Sequence, residues 1–305
     1  MSADSAAVQT VLALDIGGTK MAAGLVSADG AVSGAIRRPT PPGGTAQQLW
    51  DALTGVLDEV SAGSSYDAIG IGCGGPMRWP EGSVSPVNIP GWRDFPLLER
   101  VRERYGPDLP AAIHNDAVAV ALAESRWGAG RGARNVLGMV VSTGVGGGLV
   151  VGGQRVDGAS GNAGHIGHVV VEPDGPACGC GGFGCLEAIA RGPAIAADAV
   201  ARGWQGKQTG IAVAAGAQAG DAACVAAYDR AGQALGIAIA SVVALLDLQV
   251  VSIGGGVAQA GPLLFQPLQK AFNRHAVMAY TRNCRIVPAA LGQNVGLAGA
   301  AALVL

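Results

Sequence analysis

The chain has 305 residues, half of them hydrophobic, enough for one large or two ordinary domains around a sizeable core. Charged residues make up only 14% and the formal net charge is -2, so there is neither a basic footprint for nucleic acid nor an acidic tail, and a small-molecule partner fits better. Aromatics at 4% against 50 glycines disfavour a stacking platform for single strands and favour tight turns where backbone approaches a ligand.

Residues 1–10 contain no basic segment followed by an apolar run, so no secretory leader is expected and the cytoplasm is the default compartment. Residues 11–30 then read apolar run, DIGGTK, apolar run, ADG turn; residues 136–154 read apolar run, STGVGGG, apolar run, GGQ turn. Each predicts a β-hairpin with a glycine-rich bend. The Pro-rich 38–44 is expected to be a surface loop, and 47–61 is the first segment with helical apolar spacing. AIGIGCGGP at 68–76 and QVVSIGGGV at 249–257 are apolar strands ending in glycine clusters, each following its hairpin at a distance. Further helices are predicted over 117–127, 192–201 and 221–246. The longest apolar stretch, 234–246, is broken by Gly236 and Ser241, ends at Asp247 and falls short of the ~20 residues of a bilayer span, so it is expected to be a buried helix. The pattern predicts an α/β protein with an internal duplication: two lobes across a cleft, a small lobe over 1–115 and a large one over 116–291, with a helix in 292–305 packing back on the first.

Asp15-Ile16-Gly17-Gly18-Thr19-Lys20 follows a strand, and its glycines let backbone N–H groups turn towards an anion while Thr19 offers a hydroxyl. Asp15 would repel phosphate, so its expected task is to hold Mg²⁺ through water. Ser142-Thr143-Gly144-Val145-Gly146-Gly147-Gly148 is the same device in the second hairpin, and the two together point to a nucleotide rather than to ordinary turns. No G-x-x-x-x-G-K-[ST] occurs, which excludes a P-loop enzyme. The formal G-x-G-x-x-G at Gly70, Gly72 and Gly75 leads into loop chemistry rather than a helix, which argues against a dinucleotide-binding fold.

His168, Cys178, Cys180 and Cys185 form H-x9-C-x-C-x4-C, which matches a closed Cys₃His zinc site. With four protein ligands such a metal has no open position, so its role is structural: it holds the loop and aims Glu187 and the free face of His168. His165 is a fifth candidate, but the cysteines already complete the shell. Cys73, Cys224 and Cys284 are scattered and read as core thiols. His114-Asn115-Asp116 ends an apolar strand and opens a helix, with Asp116 placed like an N-cap; a cap and a general base are both open readings, with Asn115 beside it to hydrogen-bond a polar ligand.

These residues resemble the ROK sugar kinases, a family that includes bacterial glucokinases and N-acetylhexosamine kinases. The resemblance covers nearly the whole chain and is carried by LALDIGGTK, GPM with VSPVNIPGW, HNDA at 114–117, STGVGGG, GHIGH followed by CGCGGFGCLE at 164–187, and SIGGGV at 252–257. It implies the duplicated actin-like ATPase (ribonuclease H-like) fold, a dimer or higher homo-oligomer, and ATP-dependent phosphorylation of a hexose or N-acetylhexosamine at the 6-hydroxyl. By position, Asp116 resembles the base that takes the sugar proton. Asn88, Asn115, His165, His168 and Glu187 resemble the sugar ligands, with Gly75 backing the ring. Asp15, Gly17, Gly18, Thr19, Lys20, Thr143 and Gly144 resemble the phosphate and Mg²⁺ contacts, and Gly254, Gly255 and Gly256 the adenosine side. Members of the family that repress transcription carry an N-terminal helix-turn-helix, for which the roughly ten residues before the first strand leave no room. A sugar-binding sensor without catalysis is the other alternative, and the retained Asp116 and both phosphate turns argue against it.

One position departs from the family. Where its kinases read E-x-G-H, this chain reads His165-Ile166-Gly167-His168. A carboxylate accepts two strong hydrogen bonds from sugar hydroxyls, whereas a neutral imidazole accepts one and donates one. The change implies a different substrate pattern at C1 to C3, an acidic substituent, or a tolerated variant that still phosphorylates glucose or an N-acetylhexosamine.

Overall fold

The computed structural model describes residues 8–305, so most of the segment read for a leader lies outside the described residues. The chain opens with β1 (Thr10–Ile16), β2 (Lys20–Ser27) and β3 (Val32–Pro39). Helix α1 (Ala46–Ser61) follows behind a capping box in which Thr45 and Gln48 satisfy each other's backbone N–H. Its buried Leu49, Leu53, Val56, Leu57 and Val60 recur at three- and four-residue spacing, which gives it one apolar face. Next come β4 (Ala68–Cys73), the short strands β5 (Met77–Arg78), β6 (Ser83–Val84) and β7 (Phe95–Pro96), α2 (Leu97–Tyr105), β8 (Ala111–Asn115) and α3 (Asp116–Arg126). The second half contains β9 (Val136–Val141), β10 (Val145–Val151), β11 (Gln154–Val156), α4 (Leu186–Ala190), α5 (Gly192–Ala201), α6 (Gly210–Gln218) and α7 (Ala222–Leu246). It ends with β12 (Val250–Gly254), α8 (Pro262–His275) and β13 (Arg285–Pro288), and α9 (Val295–Ala302) closes the chain.

Two five-stranded sheets result, ordered β3-β2-β1-β4-β8 and β11-β10-β9-β12-β13. In each, the hairpin is antiparallel and the two later strands join in parallel. The duplication read from the paired hairpins is therefore a duplication of sheet plan.

The chain forms two compact units. The first runs through Gly128 and takes in Asp157–Ala163 and Leu291–Leu305; the second is Ala129–Val156 with Gly164–Ala290. The division thus differs from a boundary at 115/116. Helix α3 stays with the first unit because it packs on α9, where Gly299 leaves room for the backbone of Ala119. In the second unit α7 is long and apolar enough to cross a bilayer, but it packs against α8, α4, α5 and α6, the surroundings of a core helix. Gly232 and Gly236 let α8 lie directly on it: a Cβ at Gly236 would sit 2.4 Å from the carbonyl oxygen of Leu268.

α9 lies on β1, β2 and β4 of the first sheet. A Cβ at Gly70 in β4 would sit 2.0 Å from the carbonyl oxygen of Ala300, a backbone atom that cannot rotate away. Gly70→Ala is therefore expected to lift α9 from the sheet and cost about 2 to 4 kcal/mol, read as a lower denaturant midpoint at an unchanged slope.

Candidate active site

In the first unit, β1 delivers Asp15 to the DIGGTK bend, which Gly17 N–H closes by donating to the carbonyl of Lys20 at 2.9 Å. Thr40 clamps the bend from outside: its hydroxyl donates to the carbonyl of Gly17 at 2.6 Å and its N–H to that of Thr19 at 3.0 Å. This corrects the reading of 38–44 as a plain surface loop, since Thr40 is buried and β3 runs through Pro39. Gly18 lies against Asn88, where a Cβ would come within 2.5 Å of the Asn88 Cβ, so this glycine brings the bend up to a candidate sugar ligand. Thr19, Lys20 and Asn88 are exposed.

Parallel pairing sets Asp15 opposite Gly72, and Gly72 opposite His114. A Cβ at Gly72 would lie 3.9 Å from the Cα of Asp116, so the two acidic residues flank a position with no side chain. Asn115, not Asp116, is the N-cap of α3: its side chain accepts from the N–H of Ala117 at 3.0 Å, and Asp116 is the first helical residue, accepting from the same N–H at 2.8 Å. The Asn115 amide nitrogen also lies 3.4 Å from where a Gly75 Cβ would be, which groups Gly75 with this end of β8.

Burial pushes the Asp15 carboxyl up to about 6, with the charge of Asp116 acting in the same direction and Lys20 and Arg37 opposing it. The carboxylate is packed against the start of α9, where a Cβ on Gly296 would lie 2.3 Å from Oδ2. The Cys73 thiol is fully buried and held well above the ordinary thiol range by burial and by the charges of Asp116 and Asp15, which makes it an inert core group.

In the second unit, the STGVGGG turn joins β9 to β10, and Ser142 N–H donates to the carbonyl of Gly144 at 2.8 Å. The Ser142 carbonyl accepts from Gly192 N–H at the start of α5, also at 2.8 Å. Gly255, at a φ of +94°, brings the SIGGGV turn against the carbonyl of Val141, and Gly256 lies beside the Ser142 hydroxyl. Thr143, Gly144 and Gly254 to Gly256 thus belong to one group of turns, with Thr143 exposed.

Glu187 reaches the same turn: its Oε2 accepts from Val145 N–H at 2.8 Å and lies 2.8 Å from where a Cβ on Gly144 would be. Glu187 is in the first turn of α4, two residues after Cys185, the N-cap. The ligand atoms of His168, Cys178, Cys180 and Cys185 all lie within 4.8 Å of one another. The Cys180 and Cys185 sulfurs are 3.7 Å apart and the Cys178 sulfur is 3.8 Å from His168 Nδ1. Tetrahedral bonds of about 2.3 Å to sulfur put neighbouring sulfurs about 3.8 Å apart, so this donor set can hold zinc. Contact through Nδ1 leaves Nε2 of His168 for another partner. The Cys180 thiol is lowered by the N–H of Gly182 and by Cys178 and Cys185, while burial pushes Cys185 up to about 12. His165 is not in the cluster; its ring lies nearly parallel to that of His168 with centroids 6.2 Å apart.

Thr40 and Gly296 carried no sequence signal, since Thr40 acts on a distant bend through its hydroxyl and N–H and Gly296 acts through a missing Cβ. Val145, inside the STGVGGG motif, and Gly192, at the start of a predicted helix, contribute backbone N–H groups to which the sequence assigned no partner. His114 was part of a motif but had no assigned task. It is buried, with Nε2 3.2 Å from Asp157.

The model of the ROK family matches residues 11–305, and the chain belongs to that family. A glucokinase of Streptomyces coelicolor is 33% identical, with 96% of each chain covered. An N-acetylmannosamine kinase of Escherichia coli is 40% identical over 82% of this chain and 84% of the relative. The crystal structure of a ROK family glucokinase from Streptomyces griseus in complex with glucose and AMPPNP superposes with a TM-score of 0.80 at 34% identity, covering 97% of this chain and 99% of that one. The α/β class and the actin-like duplication agree with these neighbours.

Because Asp15 holds its proton more tightly when folded than in the unfolded chain, where Asp titrates near 4, it costs stability above about pH 6, and the cost fades as the pH falls towards 4. Without magnesium or nucleotide, Asp15→Asn is expected to raise the melting temperature at pH 7.5, by on the order of 1 to 3 kcal/mol of stability. The same variant flattens the melting profile between pH 4 and 6; an unchanged profile would place its titration elsewhere.

Proposed function

We propose that the chain is an ATP-dependent sugar kinase that phosphorylates a hexose or N-acetylhexosamine at its 6-hydroxyl. The observation that carries the reading is the pair of carboxylates in the first unit, Asp15 at the end of β1 and Asp116 at the start of α3, flanking the bare Gly72 position. Transfer of a phosphoryl group needs positioning and charge neutralisation more than covalent help. Asp116 takes the proton of the attacking hydroxyl, and Asn88 and Asn115 hydrogen-bond the sugar with Gly75 behind its ring.

Asp15 suits a cation bound through water: a half-buried carboxylate that ionises reluctantly gains its charge partner when one arrives. Mg²⁺ would be held there and would neutralise phosphate charge during transfer. The bends at Gly17, Gly18 and Thr19 and at Thr143 and Gly144 present N–H groups and hydroxyls to the phosphates, and Gly254 to Gly256 serve the adenosine side. Lys20 adds positive charge. In the second unit His168, through its free Nε2, Glu187 and His165 are assigned to the sugar. The relatives named as glucokinases and N-acetylmannosamine kinases support this class of acceptor, and a sensor without turnover is disfavoured by the retained Asp116 and both turns.

His168, Cys178, Cys180 and Cys185 are assigned a structural zinc ion, which would fix the loop that carries His168 and leads into Glu187. Removing it with a chelator is expected to lower the melting temperature and sugar affinity together, with both restored by added zinc. Retention of both would make the metal dispensable.

ADP release with Mg·ATP, measured across glucose, mannose, N-acetylglucosamine, N-acetylmannosamine and N-acetylmuramic acid, tests the reaction. Asp116→Asn should reduce kcat by about 10² to 10⁴. His165→Glu, run on the same panel, should shift preference among the sugars if the imidazole sets the acceptor pattern; an identical ranking removes His165 from specificity.

A further inference from the structure

Of the four histidines, His114 alone is buried, at 1% exposure, and the reaction gives it no chemical task. It is the fourth residue of β8 and immediately precedes the cap and the base. Its two ring nitrogens face different partners. Nδ1 lies 2.8 Å from the backbone nitrogen of Asn115, an N–H that can only donate, so Nδ1 is the acceptor. Nε2, 3.2 Å from Asp157 Oδ1, therefore carries the proton and donates it to the carboxylate.

The surroundings hold the ring from behind. Trp79 packs on it at 5.8 Å between centroids, tilted by 47°. Asp157 begins the segment Asp157–Ala163, which belongs to the first unit and is closed by Ala163 N–H donating to the Asp157 carbonyl at 3.1 Å. Gly161 in that segment has a φ of +74°, and a Cβ there would lie 2.6 Å from the Trp79 ring.

In front of the ring, the His114–Asn115 peptide leads into the cap and the base. Asn115 and Asp116 both accept from the N–H of Ala117, so the directions of both side chains depend on the same short stretch of backbone. A small rotation of the His114–Asn115 peptide would redirect both. We propose that His114, oriented by Asp157, is a positioning residue for phosphoryl transfer, fixing that peptide and through it the aim of Asn115 and Asp116. The proposal rests on the kinase reading.

His114→Gln keeps a donor towards Asp157 and loses the acceptor for Asn115 N–H, whereas His114→Asn places an oxygen near the site of Nδ1. With His114→Gln and with Asp157→Ala, kcat is expected to fall about ten- to a hundredfold, the loss associated with displacing a reacting group by about 1 Å. Sugar and ATP KM should stay within about threefold. His114→Asn should recover most of the loss, and the double variant His114→Gln/Asp157→Ala should lose no more than the worse single one, because both break the same support.

Nitrogen NMR of the wild-type protein should find His114 as the Nε2–H tautomer. The proposal is overturned if kcat survives both single changes, if Asn rescues no better than Gln, or if the proton is on Nδ1. Should a Gln at this buried position prevent folding, Asp157→Ala carries the kinetic test, since that side chain is 24% exposed. A wild-type protein that turns over no sugar would instead sink the kinase reading, a result distinct from an active enzyme indifferent to these variants.

Discussion

Backbone lying directly on backbone is the contact on which the first unit depends. The last helix can reach the first sheet only because Gly70 offers no side chain beneath Ala300. Once seated, α9 presses Gly296 against the Asp15 carboxylate, and removal of that carboxylate from water is the main reason its proton is held to about pH 6. Burial of α9 thus acts at the far end of β1, on the group assigned to the cation. Glu124, fully buried on α3, accepts from Leu291 N–H at 2.9 Å and so ties the entry of the same segment to the helix that starts with Asp116. Fold stability and site electrostatics share one set of contacts.

The second unit solves a different problem. The segment between His168 and Cys185 has no regular element of its own, only the isolated bridges Val170 with Cys185 and Ala177 with Phe183. It exposes Phe183 and Val170, and its apolar contact with the core is made near the stem, by Val169 and Val171. Two polar devices act beside that packing. Arg230 on α7 pairs with Glu172 at 2.7 Å and with Asp198 at 2.8 Å, anchoring the stem of the loop to α7 and α5. The Cys₃His donor set lies at the tip, where a bound ion would couple four side chains over a long loop. Glu187, which follows this loop, accepts from Val145 N–H and so joins the start of α4 to the STGVGGG turn by one charge-assisted hydrogen bond.

Both glycine-rich hairpins were legible because each packs its signal into a short stretch: an apolar run, a bend rich in glycine, a second apolar run. Helices α1, α5 and α7 were legible for a similar reason, their apolar spacing being a local property. Where a role depends on a partner distant in sequence, local reading failed. Thr40 looked like part of a Pro-rich loop, and its task is set by Gly17 and Thr19. Asp116 looked like a cap because the residue type suits one, yet the helix begins one residue later than Asn115, whose side chain takes that role.

By itself the sequence determined the α/β class, the duplication, the metal-ligand spacing and the order of the turns, all of which rest on periodicity or on short local motifs and their recurrence. Only the tertiary structure decided which backbones touch, which carboxylate is driven towards neutrality, which nitrogen of His114 carries the proton and where the units divide. The physical reason is that burial, charge coupling and hydrogen-bond direction are properties of pairs brought together by folding, such as Asp15 with Gly296 or His114 with Asp157, and residues so far apart along the chain carry no local trace of each other.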